Sequence, residues 1–368
     1  MWTYHNPVAI TFGAGCLDRL EALVGRRPYL LVTYPDGPFT SLADRLAQRL
    51  GPAAGVVRDV APNPDLTDLA RQAAGIAALA TPPEVVVALG GGSVIDSGKV
   101  LAAASGGFAT VQALVNGAEP PSGFTPLPLI AVPTTAGTGS EVTCWATVWD
   151  RAASTKRSLD HAALYPEAAV IDPMLMGSMP RDLTISTGLD ALSHALESLW
   201  NRNANPVTAT HAIAAARSIV EVLPARVAAP DDLDLRSRMA AASLAAGLAF
   251  SGTRTAIAHA ISYPVTLRHG VPHGIACSFT LPMILNSLAD ADGLAGRALR
   301  EIFGPDLRVG ARRLAGFLDG LGVRLAPSDY GIEAVEWDTL LAEATRGPRG
   351  RNFIGAVTTL HPVEPLAA

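Results

Sequence analysis

The chain is expected to fold as an N-terminal α/β domain with a parallel sheet, followed by an all-α C-terminal domain. Three observations predict this. Tyr29–Thr33, Val85–Leu89 and Leu127–Val132 are short apolar runs without alternation, punctuated by Pro and Gly, as buried parallel strands are. Helix-like stretches at Leu42–Leu50 and Leu66–Ala80 lie between them, which implies crossover helices on both faces of a sheet. Beyond Ser178–Thr184 the pattern is helical over Ala191–Ala228 and Leu235–Phe250, with no strand run. The boundary is placed at Gly177, giving domains 1–177 and 178–368. At roughly 100–200 residues per domain, 368 residues accommodate two. The last residues, HPVEPLAA, read as a loose tail.

Composition narrows the function. Hydrophobic residues are 49% and charged residues 17%, which supports a large core and excludes bulk disorder. Net charge is 28 − 33 = −5 without a basic run, so nucleic acid is not an expected partner. Mean hydropathy is +0.28, yet no apolar run reaches the ~20 residues of a membrane span. The start, MWTYHNPVAITFGAG, has neither a basic segment nor an apolar signal core. Cys16, Cys144 and Cys277 are odd in number and far apart, which argues for a reducing, cytoplasmic setting over a disulfide framework. Of the 28 basic residues only Lys99 and Lys156 are lysine. Against such an arginine bias, a lysine that persists hints at a need for an ammonium.

Two glycine-rich segments follow strand runs. Gly90-Gly91-Gly92-Ser93 ends VVVAL and opens a helix carrying Asp96 and Lys99. Glycines there let backbone N–H groups approach a phosphate, and the helix N-terminus adds a favourable dipole. The spacing differs from Gly-x-Gly-x-x-Gly, and a tight turn alone would also account for it. Pro133-Thr134-Thr135-Ala136-Gly137-Thr138-Gly139-Ser140-Glu141 sets hydroxyls and glycines beyond the next strand, where α/β sheets bind ligands. A capped polar loop is the plainer alternative. Two such loops after two strands favour a shared pyrophosphate cradle.

A metal set is suggested in the second half. Asp190 and His194 are spaced i, i+4 in a helical run with Leu189, Leu192 and Leu196, where an unpaired carboxylate is expensive. His259 and His273 sit in apolar or Gly/Pro-bracketed surroundings. One carboxylate with three imidazoles suits a divalent transition metal. Cysteine is absent from every segment involved, which argues against a structural zinc site.

In order, GGGSVIDSGK (90–99), PTTAGTGSEVT (133–143), LYPEAAVIDP (164–173), GLDALSHALES (188–198), NANP (203–206) and AHAISYPVTLRHGVPHGIA (258–276) resemble the iron-containing (group III) alcohol dehydrogenase family over nearly the whole chain. The resemblance implies a dehydroquinate synthase-like fold, with an α/β domain for NAD(P)H and a helical domain for a divalent metal, Fe2+ foremost and Zn2+ the alternative. It implies metal ligands at Asp190, His194, His259 and His273. It implies cofactor contacts at Gly91, Gly92, Ser93, Asp96, Lys99, Thr134, Thr135, Thr138 and Ser140, with Lys99 reaching a ribose.

Two departures bear on chemistry. Tyr263 stands where many members carry a second histidine, and Tyr34 follows the first strand run where many carry an Asp that disfavours NADP, so cofactor choice stays open. Arg254 stands where many relatives have a small residue, and with Tyr263 it is a candidate for substrate binding; a solvated arginine is the plainer reading. The segments Thr253-Arg254-Thr255, Ile261–Pro264 and Trp200-Asn201 are most similar to those of phosphonoacetaldehyde reductases. The resemblance therefore implies reduction of a small anionic aldehyde such as phosphonoacetaldehyde to 2-hydroxyethylphosphonate. The alternatives are succinic semialdehyde/4-hydroxybutyrate or general short-chain alcohol chemistry, a dehydroquinate synthase-type lyase, and a non-catalytic relative. The expected partners are a small aldehyde or alcohol and further copies of the chain, as a homodimer or higher homo-oligomer, with no membrane.

Overall fold

Six short strands form one wholly parallel sheet: β1 (Ala9–Phe12), β2 (Tyr29–Val32), β3 (Gly55–Val57), β4 (Val85–Gly90), β5 (Leu129–Pro133) and β8 (Ala168–Ile171), in the spatial order β1-β8-β5-β4-β2-β3. The remaining pair, β6 (Trp145–Asp150) and β7 (Thr155–Asp160), makes a separate antiparallel hairpin. This computed structural model describes residues 1–151, 153, 155–356 and 360–366. They divide into two compact units, Asn6–Thr135 with Ser140–Ser178, and Met1–His5 with Ala136–Gly139 and Met179–Ala368.

The sheet unit carries α1 (Leu20–Val24), α2 (Gly37–Leu50), α3 (Leu66–Ala77), α4 (Gly92–Ala103) and α5 (Phe108–Val115). Its strands lack sequence alternation because both faces are covered. Leu30, Val32, Val86, Ala88, Leu129 and Ala131 pack into one core, while Tyr29, Leu31, Val85, Val87, Ile130 and Val132 pack into another. Burying one such Val, Leu or Ile contributes on the order of 1.5–3 kcal/mol. The chain runs from β2 outward to β3, then crosses back to β4 and on through β5 to β8. Strand order thus reverses between β2 and β4, and their carboxyl ends, Thr33-Tyr34 and Gly91, flank the crevice where open α/β sheets take ligands.

The helical unit holds α6 (Arg181–Leu199), α7 (Pro206–Ala228), α8 (Leu233–Thr253), α9 (Ile257–His269), α10 (His273–Ser278), α11 (Leu281–Ser287), α12 (Gly293–Phe303), α13 (Leu307–Gly320) and α14 (Ala334–Arg346). From Leu189 to Leu199 every residue of α6 is buried, beneath α7, α8 and α10. Among the described residues no single helix is long and apolar enough to cross a membrane.

Several elements differ from the sequence expectation. The helical run Ala191–Ala228 is two helices, because Asn205 caps α7 by accepting from the Val207 and Thr208 amides, with Pro206 at its first turn. Helix α2 begins at Gly37, ahead of the expected Leu42, again with a Pro in the first turn. Strands β1, β3 and β8, three or four residues long, were not expected. Residues 361–366 hold no regular element, and 367–368 of the expected tail lie outside the described residues.

Candidate active site

One buried carboxylate organises the helical unit's polar centre. Glu197 is fully buried on α6, one turn beyond His194. Its oxygens accept from the backbone amides of Ala256 (2.9 Å), Ala258 (2.6 Å) and His259 (3.3 Å), where α9 begins. An anion at a helix N-terminus satisfies orphan N–H groups and the helix dipole together. Glu197 Oε2 also lies 2.6 Å from His259 Nδ1. That bond places the ring proton on Nδ1 and leaves Nε2 as a lone-pair donor.

His259 Nε2 points at Asp190 Oδ1, 3.4 Å away, and the Nε2 atoms of His194 and His273 each lie 3.8 Å from the same oxygen. The four residues expected to bind metal therefore meet around one carboxylate oxygen. Asp190 Oδ1 and His259 Nε2 are buried and make no hydrogen bond. Two buried, facing lone-pair donors without a hydrogen bond are the arrangement that a cation site presents. The set of one carboxylate and three imidazoles fits a first-row divalent ion.

Each ligand candidate is held from behind. His194 Nδ1 lies 3.3 Å from the Gly137 carbonyl. Its ring stacks on Phe250 at 4.0 Å and on His259 at 4.6 Å. Burial lowers the His194 pKa to about 4, so the ring is neutral at pH 7, as a ligand must be. Burial would raise the Asp190 carboxyl, but the surrounding imidazoles outweigh it and hold the group well below the ordinary carboxylate range. His259 runs the other way: burial lowers its pKa, and the charges of Cys277 and Glu197 and the contact with Asp190 override that to raise it, so a proton competes with a cation for Nε2. His273 is the open member, its side chain 37% exposed against 6% for Asp190. Tyr263 stacks on His273 (centroids 5.8 Å apart, planes 5° apart), and the Arg349 guanidinium sits 5.0 Å from the Tyr263 ring centroid.

The sequence reading overlooked Glu197, Arg349 and Cys277. Glu197 stands i+7 from Asp190 and i+3 from His194 on the same helix, a spacing that does not by itself mark it. Cys277 corrects the expectation that no cysteine neighbours the site. It lies one helical turn after His273, with Sγ 3.7 Å from His273 Nε2. All three cysteines are free.

Arg254 follows α8 with φ 65° and ψ 177°, a region open in practice only to glycine. Three asparagine amides secure that conformation. Asn203 donates to the Thr253 carbonyl (3.2 Å), Asn201 to Arg254 (3.1 Å) and Asn352 to Thr255 (2.9 Å). Asn201 and Asn352 are brought together by pairing of the 200–202 and 352–354 segments. The next amides are taken by Glu197, so the bonding is continuous from residue 253 to His259.

In the sheet unit, β4 and β5 lie side by side, with Gly90 opposite Pro133. Gly91 is the whole connection from β4 to α4. A Cβ there would meet Thr135 at 3.3 Å and the Tyr34 hydroxyl at 3.6 Å. Ser93 Oγ accepts from the Asn63 amide at 3.3 Å. Gly91, Gly92, Ser93, Thr134 and Thr135 thus stand together at the strand-order reversal. Asp96 and Ser140 are bonded to each other at 2.6 Å, and Asp96 also accepts from the Thr147 amide at 2.8 Å. Lys99, 1% exposed, directs Nζ at Ser140 O (2.7 Å), Ser140 Oγ (3.0 Å), Thr143 Oγ1 (3.2 Å) and Trp145 O (2.8 Å). Its three protons face four protein oxygens, so it acts on the loop through Ser140; the sequence reading expected it to reach a ribose. Burial lowers its pKa to about 8. Thr138 belongs to the other unit.

Comparison with known proteins agrees with this geometry. The family model for iron-containing alcohol dehydrogenase matches residues 7–173, and the model for its C-terminal domain matches residues 184–349. The chain belongs to the iron-containing alcohol dehydrogenase family. It is an oxidoreductase of that family, and its parallel-sheet and helical units are those of the family fold. The NAD-dependent methanol dehydrogenase of Bacillus methanolicus is 34% identical over 291 residues, covering 77% of this chain and 75% of that one. The phosphonoacetaldehyde reductase of Streptomyces viridochromogenes is 37% identical over 251 residues, 66% of this chain and 62% of the relative. Among solved structures, the sulfoacetaldehyde reductase of Bifidobacterium kashiwanohense in complex with NAD+ superimposes with a TM-score of 0.90 at 32% identity, covering 98% of this chain and 96% of that one.

The approach of α10 to α6 is testable. A Cβ on Gly274 would lie 1.8 Å from the Ser186 carbonyl oxygen, so Gly274→Ala must push α10 and His273 away from Asp190. Overpacking of this kind costs about 1–3 kcal/mol. Metal affinity measured by titration of the stripped protein is expected to fall at least tenfold, about 1.4 kcal/mol, with the far-ultraviolet circular dichroism kept. An unchanged affinity would show that this contact does not place His273.

Proposed function

We propose that this alcohol dehydrogenase reduces a short aldehyde bearing an anionic tail, with NAD(P)H as reductant and a divalent metal, Fe2+ foremost, on Asp190, His194, His259 and His273. Phosphonoacetaldehyde, giving 2-hydroxyethylphosphonate, is the favoured substrate and succinic semialdehyde the runner-up. The observation that carries the substrate class is Arg254. A non-glycine residue in that backbone region costs on the order of 1–3 kcal/mol, and three asparagines hold it there, immediately ahead of the helix that bears His259. Such a cost persists where the side chain has a task, and a guanidinium suits a phosphonate, sulfonate or carboxylate. Two of the similar proteins, reductases of phosphonoacetaldehyde and of sulfoacetaldehyde, act on two-carbon aldehydes with an anionic group. The methanol dehydrogenase similarity supports the neutral short-chain alternative.

When bound, the metal supplies Lewis acidity at the aldehyde oxygen, and the nicotinamide cofactor supplies the hydride. The chain's residues do the rest. Glu197 keeps His259 in its Nδ1–H tautomer, Gly137 does the same for His194, and burial keeps His194 neutral. Arg254 fixes the anionic tail, which converts an encounter into an oriented one. Gly91, Gly92 and Ser93 present backbone amides at the α4 N-terminus to the cofactor pyrophosphate. Asp96 and Lys99 fix Ser140, and with Thr134, Thr135 and Thr138 these complete the proposed cofactor set; Tyr263, against His273, borders the substrate.

Three outcomes follow from this assignment. His194→Ala and His273→Ala should each lose bound metal and nearly all turnover while remaining folded, whereas full activity in a metal-stripped sample would refute it. Gly92→Val should raise the cofactor dissociation constant at least tenfold, about 1.4 kcal/mol; an unchanged constant places the nucleotide elsewhere. A charge-assisted bond is worth roughly 1.5–3 kcal/mol, so Arg254→Ala should cut kcat/KM for phosphonoacetaldehyde by about 10- to 150-fold and leave propanal nearly untouched. Arg254→Gly should cause the same selective loss yet raise Tm by relieving the backbone. Equal losses on both aldehydes would make Arg254 a structural residue.

A further inference from the structure

We propose that Cys277 is a fifth protein donor to the metal, turning an oxygen–nitrogen centre into one with a thiolate. This rests on the metal assignment above and extends it. Four donor atoms, one each from Asp190, His259, His273 and Cys277, lie within 4.8 Å of one another. The Cys277 side chain is fully buried. Its Sγ is 3.7 Å from His273 Nε2, while His273 Nε2 and His259 Nε2 are 3.8 and 3.4 Å from Asp190 Oδ1. With metal–nitrogen or metal–oxygen bonds near 2.1 Å and a metal–sulfur bond near 2.3 Å, neighbouring donors of a five-coordinate metal are separated by roughly 3.0–3.8 Å. The spacings are close to such edges before any adjustment to a metal. Asp190 Oδ1 and His259 Nε2, both buried and without a hydrogen bond, lie within the same cluster and independently call for a cation there.

Asp190, His259 and His273 are thus flanked by two further donors. His194 stands on α6, with Nε2 3.8 Å from Asp190 Oδ1. Cys277 adds the fifth from α10, on the same short helix as His273. The His273–Cys277 spacing of i, i+4 puts both on one helix face. On coordination the thiol loses its proton to solvent as one H+ per metal bound, and nothing is oxidised or reduced. A thiolate softens the site and favours Zn2+ or Co2+ relative to a purely carboxylate–imidazole set.

Cobalt gives a readout independent of turnover. The full-length protein, stripped of metal and reloaded with one equivalent of Co2+, is expected to show both the visible ligand-field bands of bound cobalt and a near-ultraviolet thiolate-to-cobalt charge-transfer band. Cys277→Ser and Cys277→Ala should lose the charge-transfer band while keeping the ligand-field bands. They should also lower the preference for Zn2+ over Fe2+, measured by competition, by about tenfold (about 1.4 kcal/mol). Two variants are used so that one survives if the other folds poorly, as judged by circular dichroism. Cobalt bound to the wild type without the charge-transfer band overturns the role of Cys277 and leaves the Asp190/histidine site standing. A band that persists in both variants overturns it as well. Failure of the wild type to take up cobalt at all overturns the metal assignment and this inference together.

Discussion

The Glu197 carboxylate is the constraint on which the helical unit's chemistry depends. It is fully buried on α6 and accepts from three amides at the start of α9 and from His259 Nδ1. A charge in that position is tolerable only because its acceptor sites are filled. In filling them it joins α6 to α9 and sets the tautomer of His259. The rest follows in sequence: His259 Nε2 faces Asp190, Asp190 faces His194 and His273, and the loop ahead of α9 is drawn taut against the three asparagines. Removing one hydrogen-bonding partner from such an arrangement leaves a buried charge exposed to the others, so its members act as a unit.

The sheet unit shows the complementary device, a buried cation in place of a buried anion. Lys99 binds the Ser140–Trp145 segment from within, and Asp96 receives Ser140 and Thr147 alongside it. The ammonium thereby fixes the loop after β5 against the helix after β4. The close approach at Gly91 fixes the other end of the same neighbourhood. What is left between them, at the reversal of strand order, is a rim of backbone amides and hydroxyls on a rigid base.

Much of this was legible from residue spacing. Unalternating apolar runs marked β2, β4 and β5, because strands covered on both faces select for nothing but apolarity. The i, i+4 spacing of Asp190 and His194 marked a helix face, and the glycine-rich segments marked the turns that follow β4 and β5. Strands β1 and β3 were not legible, since they are short and partly exposed, without a buried apolar run, and β8 is four residues whose pairing is decided by distant partners. Glu197 was missed for another reason. Its role is defined by amides some sixty positions away, and no local signal distinguishes it from a solvated glutamate on a helix. The strain at Arg254 was equally hidden, because only the backbone angles reveal it. The bias against lysine did carry information: Lys99 is buried and bonded as an ammonium.

Burying Lys99 has a practical consequence for the surface. The chain has two lysines, and with Lys99 1% exposed the only side-chain amine within reach of solvent is Lys156, on the second strand of the β6–β7 hairpin. Amine-directed reagents therefore act on the folded protein's side chains at a single address. Acylation at Lys99 becomes a reporter of a different kind, since it requires the helix after β4 to part from the loop it holds, and its rate would follow the opening of the sheet's carboxyl edge between β4 and β5 rather than the chemistry of the surface.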